Sequence, residues 1–272
     1  MNYHSNNWIM SQIKRHYEEA LKIYNKQNII GIFCQGSQNY GLDTENSDID
    51  TKCILTPTFR DICLNKNPVS TTHILSNNEH LDAKDVRSYT TCFRKQNLNF
   101  LEILFTPYFI INPLYEEEWK KLVDHREEIA RMNPVKAVKT MKGVAMEKYF
   151  AMEHRYPSKI DIIDKYGYDA KQTHHLARID NFLKDYIKGK PYAECLIPTG
   201  ALKRFYMDIK NNKYDLNTAR HIAEVAKSHV EKLEKEFCET HEEKEDPAMR
   251  ELLEDVSYNI MKKSVEGELK HE

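Results

Sequence analysis

The chain has 272 residues, and 40% of them are hydrophobic, which is enough to bury a large core without stabilising disulfides or structural metals. Its 42 acidic and 40 basic residues nearly balance, which argues against a protein that coats nucleic acid non-specifically. This balance does not exclude a local basic groove. The six cysteines form no C-x-x-C pair, the first ten residues lack signal-peptide features, and the longest apolar runs are only strand-sized. We therefore expect a reduced, cytoplasmic chain that does not span a membrane.

Helices and strands alternate in the first part of the chain. Apolar residues at helical spacing predict an opening amphipathic helix, and short apolar runs bounded by turn residues predict strands. In chain order, the predicted elements are a helix at 5–25, strands at 28–35, 48–55 and 71–75, a helix at 82–95 and a strand at 98–105. This order is typical of an α/β or mixed-sheet domain.

After Pro113 the pattern becomes helical. The predicted helices are near 114–128, 134–155, 170–188, 199–210, 217–238 and 247–262. We find no internal repeat, and the polar stretch after Glu239 is typical of a loop. The sequence therefore predicts two domains, residues 1–112 and residues 113–272.

Gly36 and Ser37 follow the predicted strand 28–35 directly. A glycine at the end of a strand allows the backbone to approach a phosphate, and a helix start there would offer amide donors and a hydroxyl. Alone, Gly-Ser is a common turn. Its position before a pair of acids is what favours a phosphate site.

Asp48 and Asp50 open the next predicted strand. Residues two apart in a strand point to the same face, so the two carboxylates would lie side by side while Ile49 points into the core. Carboxylate pairs of this kind bind hard divalent cations such as Mg²⁺ or Mn²⁺. They also occur on solvent-exposed strand faces, so the order of strand, Gly-Ser, polar turn and acid-x-acid carries the prediction.

The stretch GSQNYGLDTENSDID resembles the signature of the DNA polymerase β nucleotidyltransferase superfamily. The resemblance implies an α+β fold, with a small mixed sheet and flanking helices in residues 1–112, followed by a helical domain that completes the substrate cleft. It implies that Gly36 and Ser37 bind the nucleotide and that Asp48 and Asp50 bind the metal. It also implies a third acid on a later strand. Glu102, the only acid in the run Asn99–Phe105, is our candidate, unless it faces water on an edge strand.

More narrowly, Tyr40-Gly41, the segment LEILFTP and the segment GYDAKQTHHLAR resemble a branch of predicted bacterial and phage nucleotidyltransferases associated with RNA repair. This resemblance adds Tyr40, Lys171, His175 and Arg178 to the nucleotide-binding residues. The last three share one face of a helix, where a stripe of cations would suit a polyphosphate. The alternative is a solvated basic face that pairs with neighbouring acids.

Together these features predict a metal-dependent enzyme that transfers a nucleotidyl group from a nucleoside triphosphate, with ATP favoured, to a hydroxyl acceptor and releases pyrophosphate. The narrower resemblance suggests an RNA end, above all a tRNA, as acceptor. Two alternatives stay open, namely a small-molecule or protein acceptor and a nucleotide-binding regulator without catalysis. The sequence indicates no oligomeric state.

Overall fold

A computed structural model describes residues 2–270, which divide into two compact units. The sheet unit contains the residues up to Met132 together with those from Glu245 onward, and the helical unit contains residues 133–244. The predicted boundary after Asn112 differs from this division. The helices that follow Asn112 directly, and the last helix of the chain, belong to the sheet unit because they cover its sheet.

A five-stranded mixed sheet forms the centre of the sheet unit, in the order β3-β4-β2-β1-β5. The strands are β1 (Ile29–Gln35), β2 (Asp50–Leu55), β3 (Ser70–Ile74), β4 (His80–Asp85) and β5 (Phe109–Ile111). Strand β2 runs parallel to β4, and every other neighbouring pair is antiparallel. With the flanking helices, this sheet confirms the predicted α+β class.

Helices cover both faces of this sheet. They are α1 (Asn6–Ile23), α2 (Phe59–Cys63), α3 (Val86–Arg94), α4 (Leu98–Leu101), α5 (Glu116–Asp124), α6 (Arg126–Ile129) and α13 (Pro247–Leu269). Helix α1 is capped by Ser5, whose side chain accepts from the backbone of Trp8, and it buries Ile9 and Ile13 against one face. On the other face Trp119 of α5 packs against Phe33, with ring centroids 4.4 Å apart.

Two predicted elements of this unit were wrong. The segment predicted as a strand at 98–105 forms α4 and a 3-10 helix, Glu102–Leu104, because the Asn97 side chain caps a helix by accepting from the Asn99 backbone. Short apolar runs do not distinguish a strand from a buried helix. The helix predicted from Asp82 begins only at Val86, where Asp85 caps it, and the residues before it form β4. Strand β5 was not predicted.

The helical unit is built around one long helix. Its elements are α7 (Pro134–Ala151), α8 (Ile160–Tyr166), α9 (Ala170–Ile187), α10 (Tyr192–Leu196), α11 (Gly200–Lys210) and α12 (Leu216–Thr240). Helix α9 packs against α7, α11 and α12, and it buries Leu176, Ile179 and Leu183. The four long helices were predicted from their periodicity, whereas α8 and α10 were not. Within residues 2–270 no helix combines the length and the apolar character that crossing a membrane requires.

Candidate functional site

The turn after β1 requires a glycine. Gly36 has a φ of 99° and a ψ of −153°, a conformation that residues with a Cβ adopt only at a cost. A Cβ built there would meet no atom closer than Gln38 Oε1, at 3.8 Å, so the requirement comes from the backbone and not from packing. The space beside Gly36 therefore leaves its backbone open to a ligand.

Ser37 begins a 3-10 helix of only four residues, Ser37–Tyr40. Because a helix of this length has little dipole, any anion bound here would be held by individual backbone amides and by the Ser37 hydroxyl. The Ser37 hydroxyl is half-buried and makes no hydrogen bond to any residue in the described range. Tyr40 is only 5% exposed, so its ring packs in the core.

Asp48 and Asp50 lie on either side of the buried Ile49, as predicted, although β2 starts only at Asp50. The Asp48 carboxylate is exposed and has no hydrogen-bond partner among residues 2–270. Asp50 is different, because its Oδ1 accepts from the backbone N–H and from Nδ1 of His80, both at 3.0 Å. In the antiparallel register Asp50 lies opposite Gln35, the residue before Gly36. The turn and the acid pair are therefore neighbours.

Glu102 lies in the sheet unit near the end of β1. It is buried, with 6% of its surface exposed, and it belongs to the 3-10 helix Glu102–Leu104. Burial raises the pKa of the Cys34 thiol strongly, and the carboxylates of Glu102 and Asp50 raise it further. Both acids therefore act on the same sulfur atom at the end of β1. The predicted third acid is close to the site, but it does not stand on a strand.

The structure also places Asp82 at the site, an acid that the sequence analysis missed. Asp82 is on β4, paired with Lys52 of the parallel strand β2, so it shares a sheet face with Asp50. Its Oδ2 accepts from Lys52 Nζ at 2.9 Å, and its side chain is 24% exposed. Residues 80–85 alternate between exposed or intermediate and buried positions, which is a strand pattern. The matching alternation of polar and apolar residues in the sequence could have predicted this strand. The predicted helix 82–95 covered the segment instead, so Asp82 was not considered as a site residue.

The side chains offer hard oxygen donors of the kind that Mg²⁺ and Mn²⁺ bind. Asp48 has a carboxylate without a partner in the described chain, and Asp50 has His80 bonded to one oxygen only. No group of three or more His, Cys, Asp or Glu side chains between residues 2 and 270 is arranged as a metal site. The donor chemistry at Asp48 and Asp50 nevertheless fits a cation that keeps several of its waters.

A second polar cluster lies in the helical unit, on α9. Lys171 is exposed, and its ammonium group pairs with no acid in the described residues. His175 is half-buried. Burial, followed by the positive charges of Arg178, Lys171, Lys148 and Lys210, lowers its pKa well below the usual value. His175 is therefore uncharged near neutral pH, so beside Lys171 and Arg178 it would act as a hydrogen-bond donor and not as a cation, and its part in nucleotide binding stays a prediction.

The cations around His175 come from three helices, with Lys148 on α7 and Lys210 on α11. Three buried side-chain atoms on the first turns of α9 have no hydrogen-bond partner among residues 2–270, namely Gln172 Oε1, Thr173 Oγ1 and His174 Nε2. Two acids lie on or beside α9, where Asp169 lies 3.7 Å from Lys159 and accepts from the Lys171 backbone N–H, and Asp180 contacts His229. The cluster combines positive charge with unsatisfied polar atoms.

No family model and no curated protein matches this chain. Among solved structures, it is similar to a nucleotidyltransferase-like protein from Exiguobacterium sibiricum 255-15, with 13% identity and a TM-score of 0.29. The similarity covers 84% of this chain and 75% of the other.

Proposed function

We propose that the protein is a metal-dependent nucleotidyltransferase. The observation that carries this proposal is the position of Asp48 and Asp50 beside the Gly36-Ser37 turn, which follows from the pairing of Asp50 with Gln35. A backbone open to phosphates and two adjacent carboxylates are the two parts that the reaction requires. When bound, a divalent cation supplies positive charge that stabilises the entering and leaving oxygens of an in-line displacement.

Each of these residues has a separate proposed role. Asp48 and Asp50 bind Mg²⁺ or Mn²⁺, and the amides and hydroxyl of the Gly36-Ser37 turn contact the β- and γ-phosphates. The acceptor oxygen bonds to the α-phosphorus, the bond to the bridging oxygen breaks, and pyrophosphate leaves. The hydroxyl proton passes to a carboxylate, for which Asp50 and Glu102 are the candidates. Asp82 is a rival to Glu102 as the third acid, supported by its place on the same sheet face as Asp50.

Lys171 and Arg178 are proposed to bind the triphosphate, with neutral His175 as a hydrogen-bond donor. The concentration of positive charge around His175 supports this role, since a polyphosphate would neutralise it. Tyr40 is retained as a nucleotide contact only on the sequence resemblance, because its side chain is buried.

The proposed acceptor is an RNA end, with tRNA first, in a cytoplasmic setting. The nearly balanced charge of the chain provides no general basic footprint, so RNA binding would have to be local. A small molecule or a protein is the alternative acceptor. Labelling of total RNA, total protein and a panel of aminoglycosides with α-³²P ATP separates these. A Mg²⁺-dependent ATP complex that labels none of them would indicate a regulator without catalysis.

The central test is the double variant Asp48→Ala/Asp50→Ala. We expect it to abolish incorporation of label from α-³²P ATP, because the carboxylates that hold the cation are gone. Its melting temperature should stay unchanged or rise, because two like charges side by side are removed. The matched control is Asp161→Ala/Asp164→Ala, which removes two exposed acids from α8 and should label as the wild type does. Transfer by the first variant at the wild-type rate would refute the proposal.

A further inference from the structure

The segment that carries Asp48 and Ile49 is irregular, because β2 begins only at Asp50. Such a segment keeps its carboxylates in a fixed orientation only if other groups hold it. Asp48, Ile49 and the first strand residue, Asp50, each have a partner from another part of the chain. Gln38 Nε2 donates to the Asp48 carbonyl at 2.7 Å, Ile49 N–H donates to Glu79 Oε1 at 3.1 Å, and His80 donates to Asp50.

Glu79 is, like Gln38, a buried partner of this segment. It follows the tight turn between β3 and β4, in which Asn78 has a φ of 64°, and only 6% of its surface is exposed. Its Oε2 accepts from Nε2 of His16 at 2.8 Å and from the guanidinium of Arg15, both on α1. Glu79 therefore connects α1 to the backbone of Ile49.

His16 extends this connection to the other side of Asp50. A carboxylate oxygen can only accept, so the proton of the His16 ring is on Nε2, and Nδ1 accepts from Thr51 Oγ1 at 2.8 Å. Burial lowers the pKa of His16 and keeps the ring neutral, in spite of the hydrogen bond to Glu79. The Glu79–His16 network thus holds Ile49 and Thr51, the two residues on either side of Asp50.

Glu79 is charged within this network. Burial alone would raise its pKa, but hydrogen bonds from His16, Asn77, the Ile49 backbone and Arg15 together outweigh burial, and the net direction is downward. A charged acceptor forms stronger hydrogen bonds than a neutral one, so the bond to Ile49 N–H resists the fluctuations of an irregular segment.

We propose that Glu79 is a positioning residue, which fixes the orientation of the Asp48 and Asp50 carboxylates for a divalent cation. This inference rests on the proposed function. A purely structural Glu79 would stabilise the sheet unit without affecting cation affinity. Residues that orient metal ligands from behind change affinity by about 10- to 100-fold when they are removed, so the two roles are separable.

The test uses the full chain with His16→Leu/Glu79→Met, which replaces the polar pair by apolar side chains of similar volume and is therefore expected to fold. We expect faster amide hydrogen exchange at Ile49 without any metal, and Mn²⁺ affinity weakened by about 10- to 100-fold in water-proton relaxation. In nucleotide transfer, kcat should fall while the KM for ATP stays within about threefold. Glu79→Gln, which keeps an acceptor oxygen for Ile49 N–H, should restore most of the exchange protection.

The matched control is Glu118→Met on α5, another buried glutamate of the sheet unit, which accepts from Lys121 at 2.8 Å and lies 3.2 Å from Lys263. It should lower the melting temperature and leave Mn²⁺ affinity unchanged. Wild-type Mn²⁺ affinity in the folded His16→Leu/Glu79→Met variant would overturn the inference alone. If the wild-type protein bound no Mn²⁺, or if Asp48→Ala bound it equally well, the proposed function would fail and the inference with it.

Discussion

The acid pair of the sheet unit and the first turns of α9 in the helical unit are both polar, but they satisfy their polar groups differently. Around Asp48, Ile49 and Asp50, groups from other elements hold the backbone and one carboxylate oxygen. On α9, three buried polar atoms lack partners in the described chain, and several cations surround an uncharged His175. In the first region the protein itself holds the backbone, whereas the second combines unsatisfied buried polar atoms with several positive charges, an environment that suits an anion.

The difference bears on what each region contributes to the proposed reaction. An acid pair whose backbone is held in place suits transition-state stabilisation, because the backbone does not have to reorganise when the reaction occurs. A set of cations on long side chains suits ground-state binding of a polyphosphate. Variants in the first region should therefore lower kcat, and variants in the second should raise KM.

The largest effect on kcat in this comparison is expected at the third acid, which would join Asp48 and Asp50 as a metal ligand. We expect Lys52→Met/Asp82→Asn to lose about 10³ in kcat relative to Lys52→Met, since a metal ligand contributes several kcal/mol at the transition state. Using Lys52→Met as reference avoids leaving that buried lysine unpaired. Glu102→Gln should lose less than tenfold. Single-turnover rates with Mg²⁺ measure this, and the opposite order would restore Glu102 as the third acid.

A smaller effect is expected on α9. Arg178→Gln should raise the KM for ATP by about 10- to 100-fold, as the loss of a charge-assisted hydrogen bond worth about 1.5–3 kcal/mol requires, with little change in kcat. Arg178→Lys should recover part of the loss because it keeps the charge without the bidentate geometry. The control is Lys188→Gln, the same charge change at the exposed end of this helix. A fall in kcat at constant KM would contradict the division between the two regions.

The smallest effect is a pH dependence of stability. Burial, followed by nearby positive charge, lowers the pKa of His174 and His175 in the folded protein, so the unfolded chain binds more protons below pH 6.5. Their contribution to stability is present above that pH and is lost as pH falls, by at most about 1.4 kcal/mol per pH unit for each histidine. Urea midpoints at pH 7.5, 6.5 and 5.5 should therefore decline. His175→Gln should flatten the decline, whereas His125→Gln, at an exposed position, should not.

The sequence predicted the parts of the fold that local periodicity determines. Helix α1, strands β1 to β3 and the long helices of the helical unit were found within a few residues of their observed ends. The acid pair and the glycine turn were also found, because their spacing is a local property. Their place next to one another depends on the antiparallel register of β1 and β2, which only the structure gives.

The remaining site residues depend on contacts between distant parts of the chain. In the sequence, Glu79 and His80 have the pattern of ordinary turn and strand residues. Their contacts with Ile49 and Asp50 join residues about 30 positions apart, so no local pattern predicts them. Asp82 was hidden by a helix predicted four residues too early. The division into compact units differs from the predicted domains because α13 returns to α3 and α5 from the far end of the sequence, and periodicity does not encode such long-range packing.

That return of α13 has a consequence for synthesis. The chain leaves the sheet unit after Met132 and re-enters it at Glu245, and the backbone N–H of Asp246 donates to the Met132 carbonyl at 2.7 Å, so exit and entry are adjacent. On the ribosome, the apolar surface that α3 and α5 present to α13 stays uncovered until residues 247–269 have emerged. This apolar surface therefore stays exposed throughout the translation of more than a hundred intervening residues, and exposed apolar surface of this kind promotes aggregation.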